Sequence, residues 1–147
     1  MQKNSPLHVL VIPTWYPNGE DKLIGVYHKL FSTALAEYGV KTNMLYVDRQ
    51  GLSSLPKYPT MQKLYEESNT GYVTYCRRML DISKFSADAQ LSAYCRTVEK
   101  LYKAYVKQHG KPDILHAHVT VPAGYAAAKL GEKYHIPVSY THLTLPT

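Results

Sequence analysis

Residues 7–13 read LHVLVIP and decide the fold class of this chain of 147 residues. Apart from one histidine, the segment is a continuous run of β-branched and aliphatic residues with no polar alternation. Such a run is typical of a strand that is buried on both faces, as in a parallel sheet. We therefore expect residues 7–13 to form the first and central strand of a parallel sheet.

Helical and strand-like segments alternate along the rest of the chain. A helix follows the first strand and ends at Gly39, and a longer helix runs from Ser86 to Gly110. Further strand-like segments lie at residues 40–48, 71–77, 113–118 and 136–138, with a last helix between the final two. This alternation predicts an α/β protein with a Rossmann-like, doubly wound parallel sheet in the strand order 3-2-1-4-5.

Helical periodicity also predicts which faces of the helices are buried. For the first helix the inward-facing set is Val26, Tyr27, Leu30, Phe31, Ala34, Leu35 and Tyr38. For the helix after Ser86 it is Leu91, Tyr94, Val98, Leu101, Tyr102 and Tyr105. Residues 49–70 show no sustained period, so we expect a long surface loop there, with one short helix at residues 61–67.

Composition narrows the class of protein. The formal net charge of +6 comes from scattered Lys and Arg, which favours a solvated basic surface or attraction to anionic ligands, and no nucleic-acid-binding motif is present. The two cysteines form no C-x-x-C pair and fit a reducing compartment without a disulfide. The apolar stretch at the N-terminus is too short for a membrane span. We expect a cytoplasmic protein, with peripheral contact to the inner membrane face left open.

Two loops should meet at one crevice. In a 3-2-1-4-5 sheet the first and fourth strands are neighbours where the winding reverses, and ligands bind outside the carboxyl ends of the strands there. The loop at residues 14–25 should therefore face the loop at residues 116–124. The first loop lacks the G-x-G-x-x-G fingerprint, which disfavours NAD.

Several residues of the first loop are candidates for ligand binding. Gly25 at the mouth of the helix can present backbone N–H groups to a phosphate or a sugar hydroxyl, with Lys22 nearby. Trp15 and Tyr16 either stack on a ligand or plug the top of the core. Residues 17–19, Pro-Asn-Gly, also suit a plain turn.

The second loop opens with His116-Ala117-His118, whose two histidines point to the same side of a strand. Three hypotheses compete for them: zinc ligands, core imidazoles bonded to backbone, or uncharged groups that bind a hydroxyl. A catalytic zinc needs a third protein ligand, and no Asp, Glu or Cys follows until Glu132. We therefore expect no metal, a core role for His116, and a ligand-binding role for His118.

Three segments together resemble the N-terminal domain of family-4 glycosyltransferases with the GT-B fold. They are HVLVIPTWYPN, IGVYHKLFSTALAEYGVKTNMLYVD and PDILHAHVTVPAGYAAAKLGEKYHIPV, which span residues 8–138 with a weak match between about 49 and 85. The resemblance implies transfer of a sugar from a nucleotide-sugar donor to an acceptor hydroxyl with retention, without a metal or other cofactor. The acceptor implied is a glycan or a lipid-linked glycan.

The resemblance also implies roles for individual residues. His118 would reach the donor sugar near the reacting centre, and so it is the expected catalytic residue. Gly19 and Gly25 would line the cleft on the acceptor and donor-phosphate side. Lys22, Trp15, Tyr16 and Thr120 complete the set expected to bind substrate.

The domain boundaries follow from the same comparison with the family. We expect residues 1–138 to be the acceptor-side domain, inactive alone, and the C-terminal donor-binding domain to be absent. Residues 139–147, SYTHLTLPT, resemble translated sequencing-adapter read-through, so we expect a non-native addition there. The alternative function is a stand-alone Rossmann-like module that binds a phosphorylated sugar or a partner protein without catalysis.

Overall fold

The computed structural model describes residues 5–17, 23–54, 56, 64–69 and 71–141, and for residues 64–69 it describes the backbone alone. Six strands and three α-helices follow one another along this part of the chain. In order they are β1 (His8–Pro13), α1 (Val26–Glu37), β2 (Lys41–Gln50), β3 (Leu64–Asn69), β4 (Tyr72–Leu80), α2 (Ala87–His109), β5 (Ile114–His118), α3 (Tyr125–Tyr134) and β6 (Val138–Thr141). A 3-10 helix covers Leu52–Ser54, and an irregular turn covers Thr120–Gly124.

The strands form one sheet in the order β3-β4-β2-β1-β5-β6. Five of them, β4-β2-β1-β5-β6, are parallel, which confirms the predicted order 3-2-1-4-5 and the doubly wound, Rossmann-like class. Central β1 is buried along its whole length, as its apolar run indicated. The carboxyl ends of β1 and β5 therefore lie side by side where the winding reverses.

An edge strand replaces part of the predicted loop. The short helix expected at residues 61–67 is wrong where the structure describes it, because Leu64–Asn69 is a strand that pairs antiparallel with β4. Residues 57–63 and 70 lie outside the described part. The chain reverses between Asn69 and Tyr72, where Gly71 has φ +81°. Pairing satisfies the backbone groups of β4, which would otherwise be an open edge.

The larger core lies between the sheet and helices α2 and α3. Ser86 caps the start of α2 by accepting a hydrogen bond from the Ala89 N–H at 3.2 Å, and Gly110 ends the helix. The predicted inward face is confirmed from Tyr94 onward, and Leu91 is half-buried. The helix residues in this core are Tyr94, Val98, Leu101, Tyr102 and Tyr105 of α2 and Ala126, Ala127 and Leu130 of α3.

Helix α1 covers the opposite face of the sheet in an orientation that periodicity did not predict. Its fully buried residues are His28 and Ser32, whereas five of the seven residues predicted to face inward are exposed: Val26, Tyr27, Leu30, Ala34 and Tyr38. His28 and Ser32 are four residues apart and share one side of the helix. A close contact at Gly25, described below, fixes the start of α1 and turns this side toward the sheet.

Within the described ranges, no helix combines the length and the apolar character needed to cross a membrane.

Candidate functional site

The two predicted loops meet at the carboxyl ends of β1 and β5. Pro13 is paired with His118 in the parallel register. The next residue, Thr14, donates its hydroxyl to the backbone carbonyl of His118 at 3.0 Å, and it is buried. Residues about a hundred positions apart in the chain therefore meet at the carboxyl ends of these strands, as the strand order predicted. Gly19 and Lys22 lie outside the described residues.

His118 is 1% exposed and lies beneath α1. Its Nδ1 forms a hydrogen bond with the Tyr27 hydroxyl at 2.9 Å, and the Thr141 hydroxyl lies 3.4 Å from the same nitrogen. Its Nε2 has no hydrogen-bond partner among the described residues. The Phe31 ring packs edge-on against the imidazole. His118 is thus held by one ring nitrogen while the other stays unsatisfied in a closed environment.

His28 is a residue of this site that the sequence analysis missed. It is also 1% exposed, and its ring lies 4.2 Å from that of His118 between centroids. Neither of its ring nitrogens has a partner in the part of the chain that the structure describes. A lone histidine in an amphipathic helix gives no local signal for such a position. The buried position of His28 becomes evident only from the orientation of α1 in the structure.

The electrostatics of the pair follow from burial. Desolvation, with a smaller contribution from His116, lowers the pKa of His28 to about 4. Desolvation, with smaller contributions from His28 and His116, lowers the pKa of His118 to about 3. Both rings are therefore uncharged at neutral pH, and each can donate or accept one hydrogen bond at an unpaired nitrogen.

His116 differs from His118 in that its two ring nitrogens have partners. Nδ1 lies 2.7 Å from the Ser139 hydroxyl, and Nε2 lies 2.8 Å from the Thr141 hydroxyl. The ring stacks on Phe31 at 5.4 Å. These hydroxyls belong to β6, whose last three residues fall in the segment that we expect to be a non-native addition. Burial lowers the pKa of His116.

Trp15 and Tyr16 have opposite surroundings. Trp15 is 44% exposed, so its indole faces solvent at the rim of the crevice. Tyr16 is buried, packs on Tyr46 with ring centroids 5.3 Å apart, and its hydroxyl lies 3.3 Å from that of Thr74. The buried Tyr16 closes the top of the core, which is one of the two roles considered for this pair. The half-exposed Trp15 is free to stack on a ligand, which is the other role.

Gly25 fixes the relation between the first loop and α1. It precedes the helix with φ +65°, and a Cβ at this position would lie 2.6 Å from the carbonyl oxygen of Trp15. Only glycine combines this backbone conformation with such a close approach. At Gly25 the start of α1 therefore packs directly against the backbone of Trp15. This contact places Tyr27 and His28 over His118.

The segment after His118 leaves the sheet sharply. Val119 has φ +74°, Thr120 is exposed at the rim, and the Gly124 N–H donates to the Val119 carbonyl at 3.0 Å. The structure thus brings together four of the predicted site residues, namely Trp15, Tyr16, Gly25 and His118, with Thr120 at the edge. Within the described ranges, no group of three or more His, Cys, Asp and Glu side chains is placed to hold a metal ion.

Comparison of the chain with models of known protein families gave no match, and neither did comparison with curated protein sequences.

Proposed function

We propose that this chain is the N-terminal, acceptor-side domain of a retaining family-4 glycosyltransferase with the GT-B fold. The reaction moves a sugar from a nucleotide-sugar donor to a hydroxyl of a glycan or lipid-linked glycan. The observation that carries the proposal is the junction of the first loop with His118, through the Pro13 and His118 register and the 3.0 Å bond from Thr14. The resemblance of the segments around both loops to that family agrees with it.

The reaction requires no cofactor, because every bond that breaks is accounted for by one that forms. The bond between the anomeric carbon and the diphosphate oxygen breaks, and the diphosphate leaves with the electron pair. The acceptor oxygen bonds to the anomeric carbon on the same face, and its proton passes to the departing phosphate. A domain that orients the acceptor and places dipoles near the developing positive charge lowers the barrier by position and electrostatics.

His118 contributes to this reaction as an uncharged group. Because its pKa is about 3, the ring carries no proton to give as an acid at neutral pH, and its role is to accept or donate a hydrogen bond. The ring is closed off beneath Tyr27 and Phe31, so contact with a sugar requires these side chains to move. In the closed arrangement His118 positions the first loop, through its carbonyl bond with Thr14.

The test is a transfer assay with a completed enzyme. Residues 1–138 are fused to the donor-binding domain of a full-length family-4 enzyme, and transfer from UDP- and GDP-sugars is measured. We expect transfer, and a loss of at least about tenfold in kcat/KM for His118→Ala, as for the loss of one positioned polar group. His118→Asn serves as a second variant that keeps a polar side chain, and His135→Asn, at an exposed histidine, is the matched control.

Two results would count against the proposal in different ways. A folded fusion that transfers no sugar from any donor contradicts the glycosyltransferase function and favours the binding module. Full activity of the His118→Ala fusion contradicts the role of that histidine alone. Circular dichroism and urea unfolding of each variant separate a loss of function from a loss of fold.

A further inference from the structure

A cavity lies next to the junction of the first loop with His118. It has a volume of about 220 Å³ and lies beyond the carboxyl ends of β1, β2 and β4. Thr14 lines it and also bonds to the His118 carbonyl, so the cavity and the histidine share one wall residue. The other lining residues that matter here are Trp15, Tyr46, Asp48, Arg49, Gln50 and Asp81.

One wall of this cavity is the aromatic side chain of Trp15. Trp15 is 44% exposed and lines the cavity, while the backbone on either side of it is held in place. Thr14 before it and Tyr16 after it are buried, and Gly25 packs against its carbonyl group. A half-exposed indole on a backbone held in this way offers a flat apolar surface, which suits the apolar face of a ligand ring.

The opposite wall carries paired charges. Asp48 is 5% exposed and accepts hydrogen bonds from Gln50 Nε2 at 2.7 Å and from Arg78 Nε at 3.1 Å. A carboxylate has about four lone-pair sites, so Asp48 keeps acceptor capacity for a hydroxyl. Asp81 lies at the rim, where hydrogen bonds from Ser83 lower its pKa, as does the nearby Arg49 guanidinium. The Asp81 carboxylate is therefore ionised at neutral pH.

The balance of these charges limits the class of ligand. Among the described residues around this cavity, the two carboxylates of Asp48 and Asp81 are matched by two guanidinium groups, Arg49 of the lining and Arg78 paired with Asp48. A phosphate or carboxylate in the cavity would lie against the aspartates, and a cation would lie against the arginines. An uncharged ligand rich in hydroxyls meets both donors and acceptors without repulsion.

We propose that this cavity binds one uncharged sugar ring, stacked on Trp15 and hydrogen-bonded by the Asp48 and Asp81 carboxylates. Its volume lies below the roughly 300–1,000 Å³ of sites for drug-sized ligands, which fits a single ring. As the acceptor subsite, it rests on the proposed function and specifies that the acceptor ends in a neutral sugar residue. Binding of the sugar itself does not depend on catalysis.

Trp15 makes the test direct, because it is the single tryptophan of the chain. Its fluorescence is excited at the red edge of the absorbance, where the 14 tyrosines contribute little. The chain is titrated with neutral hexoses and N-acetylhexosamines, with the matching hexose 6-phosphates, and with inorganic phosphate. We expect a saturable change with at least one neutral sugar, with a dissociation constant on the order of millimolar. The 6-phosphate should bind about tenfold more weakly or not at all.

A matched pair of variants locates the binding site. Asp81→Asn keeps the acceptor for the Ser83 N–H but loses the charge, and should weaken sugar binding about five- to tenfold. Asp88→Asn changes an exposed aspartate of α2 outside this cavity, and should leave the dissociation constant within about twofold. Equal effects of the two variants would contradict the assignment of the cavity.

The remaining outcomes separate the two proposals. The absence of a saturable change with every neutral sugar overturns the sugar subsite, and so does tighter binding of phosphate than of any sugar. If the fusion enzyme nevertheless transfers sugar, the proposed function stands and the subsite is wrong. If sugar binds with the expected response to Asp81→Asn while the fusion is inactive, the subsite stands and the proposed function is wrong.

Discussion

The imidazole rings of His28 and His118 pack with their centroids 4.2 Å apart, and both are almost fully buried. His28 comes from the first turn of α1, and His118 comes from the end of β5. Three of their four ring nitrogens have no hydrogen-bond partner among the described residues. Buried polar atoms without partners cost roughly 1–3 kcal/mol each, so the pair lowers the stability of the fold. Buried polar groups that lower stability in this way often belong to functional sites, so this pair is a candidate for function.

The pair makes the stability of the fold sensitive to acid. Because burial lowers the pKa of His28 to about 4 and that of His118 to about 3, the folded chain resists protonation below pH 6.5, where the unfolded chain takes up protons. The pair has no effect on the pH dependence above that range. Between pH 6.5 and about 4 the free energy of unfolding should fall by about 5–6 kcal/mol, with nearly 3 kcal/mol from each histidine. Urea unfolding at a series of pH values measures it.

Variants assign this pH dependence to the histidines. His28→Leu removes one of the groups and its two unpaired nitrogens, so it should flatten the decline and raise stability at pH 7.5 by about 1 kcal/mol. His135→Asn replaces an exposed histidine with φ +54°, a conformation that asparagine tolerates, and should keep the decline. An unchanged pH dependence in His28→Leu would show that other groups cause the effect.

Tyr27 should set the tautomer of His118. Its hydroxyl lies 2.9 Å from Nδ1, and if it donates, the ring proton resides on the unpaired Nε2. We expect Nδ1 to show the nitrogen-15 shift of an unprotonated ring nitrogen in long-range proton–nitrogen spectra. Tyr27→Phe should perturb that shift and cost about 0.5–1.5 kcal/mol of stability. Tyr125→Phe, at an exposed tyrosine of α3, should do neither. A protonated Nδ1 in the wild-type chain would reverse the assigned direction of the bond.

The sequence predicted those parts of the fold that depend on the local pattern of apolar residues. The run at residues 7–13 is long and apolar enough to require burial on both faces, and the alternation of helices and strands then leaves few topologies. The same logic placed His118 beside the first loop. In the second helix the apolar stripe is narrow, and the buried residues Tyr94, Val98 and Leu101 were predicted correctly.

The parts that it missed depend on contacts between distant segments. In α1 the apolar residues spread around the helix, so periodicity does not fix its rotation, and the Gly25 contact with Trp15 decides that His28 faces the sheet. Strand β3 exists because β4 offers an open edge, which no local period reveals. Pairing of charges around Asp48 likewise requires residues 30 positions apart to meet.

The contact at Gly25 can be tested against a second glycine that also has a positive φ. Gly25 has φ +65° and Gly39 has φ +79°, so alanine at either position costs about 1–2 kcal/mol for the left-handed conformation. A Cβ at Gly39 meets nothing within 4 Å, whereas one at Gly25 lies 2.6 Å from the Trp15 carbonyl oxygen. Gly25→Ala should therefore destabilise the fold by at least about 1 kcal/mol more than Gly39→Ala, as measured by urea unfolding. Similar losses of unfolding free energy in the two variants would mean that Gly25 does not pack tightly against the Trp15 carbonyl group in solution.

Two buried tyrosines of α2 offer a test of the polar network at the opposite end of the sheet. Asn43 Nδ2 donates to the Tyr105 hydroxyl at 2.8 Å, and the Tyr105 O–H can then donate to His8 Nε2 at 2.5 Å. Burial raises the pKa of Tyr105 to about 12, so the hydroxyl keeps its proton. Tyr105→Phe leaves both partners unsatisfied in the core, and should cost about 2–4 kcal/mol.

Tyr94 is the matched control, because it is equally buried and its hydroxyl has no hydrogen-bond partner within the described ranges. Tyr94→Phe removes an unsatisfied polar atom without opening a large cavity, so its stability should stay the same or rise by about 1 kcal/mol. Both variants are compared by urea unfolding at pH 7.5, where His8 is neutral because burial lowers its pKa. If Tyr105→Phe costs no more than Tyr94→Phe, the contacts with Asn43 and His8 do not stabilise the fold.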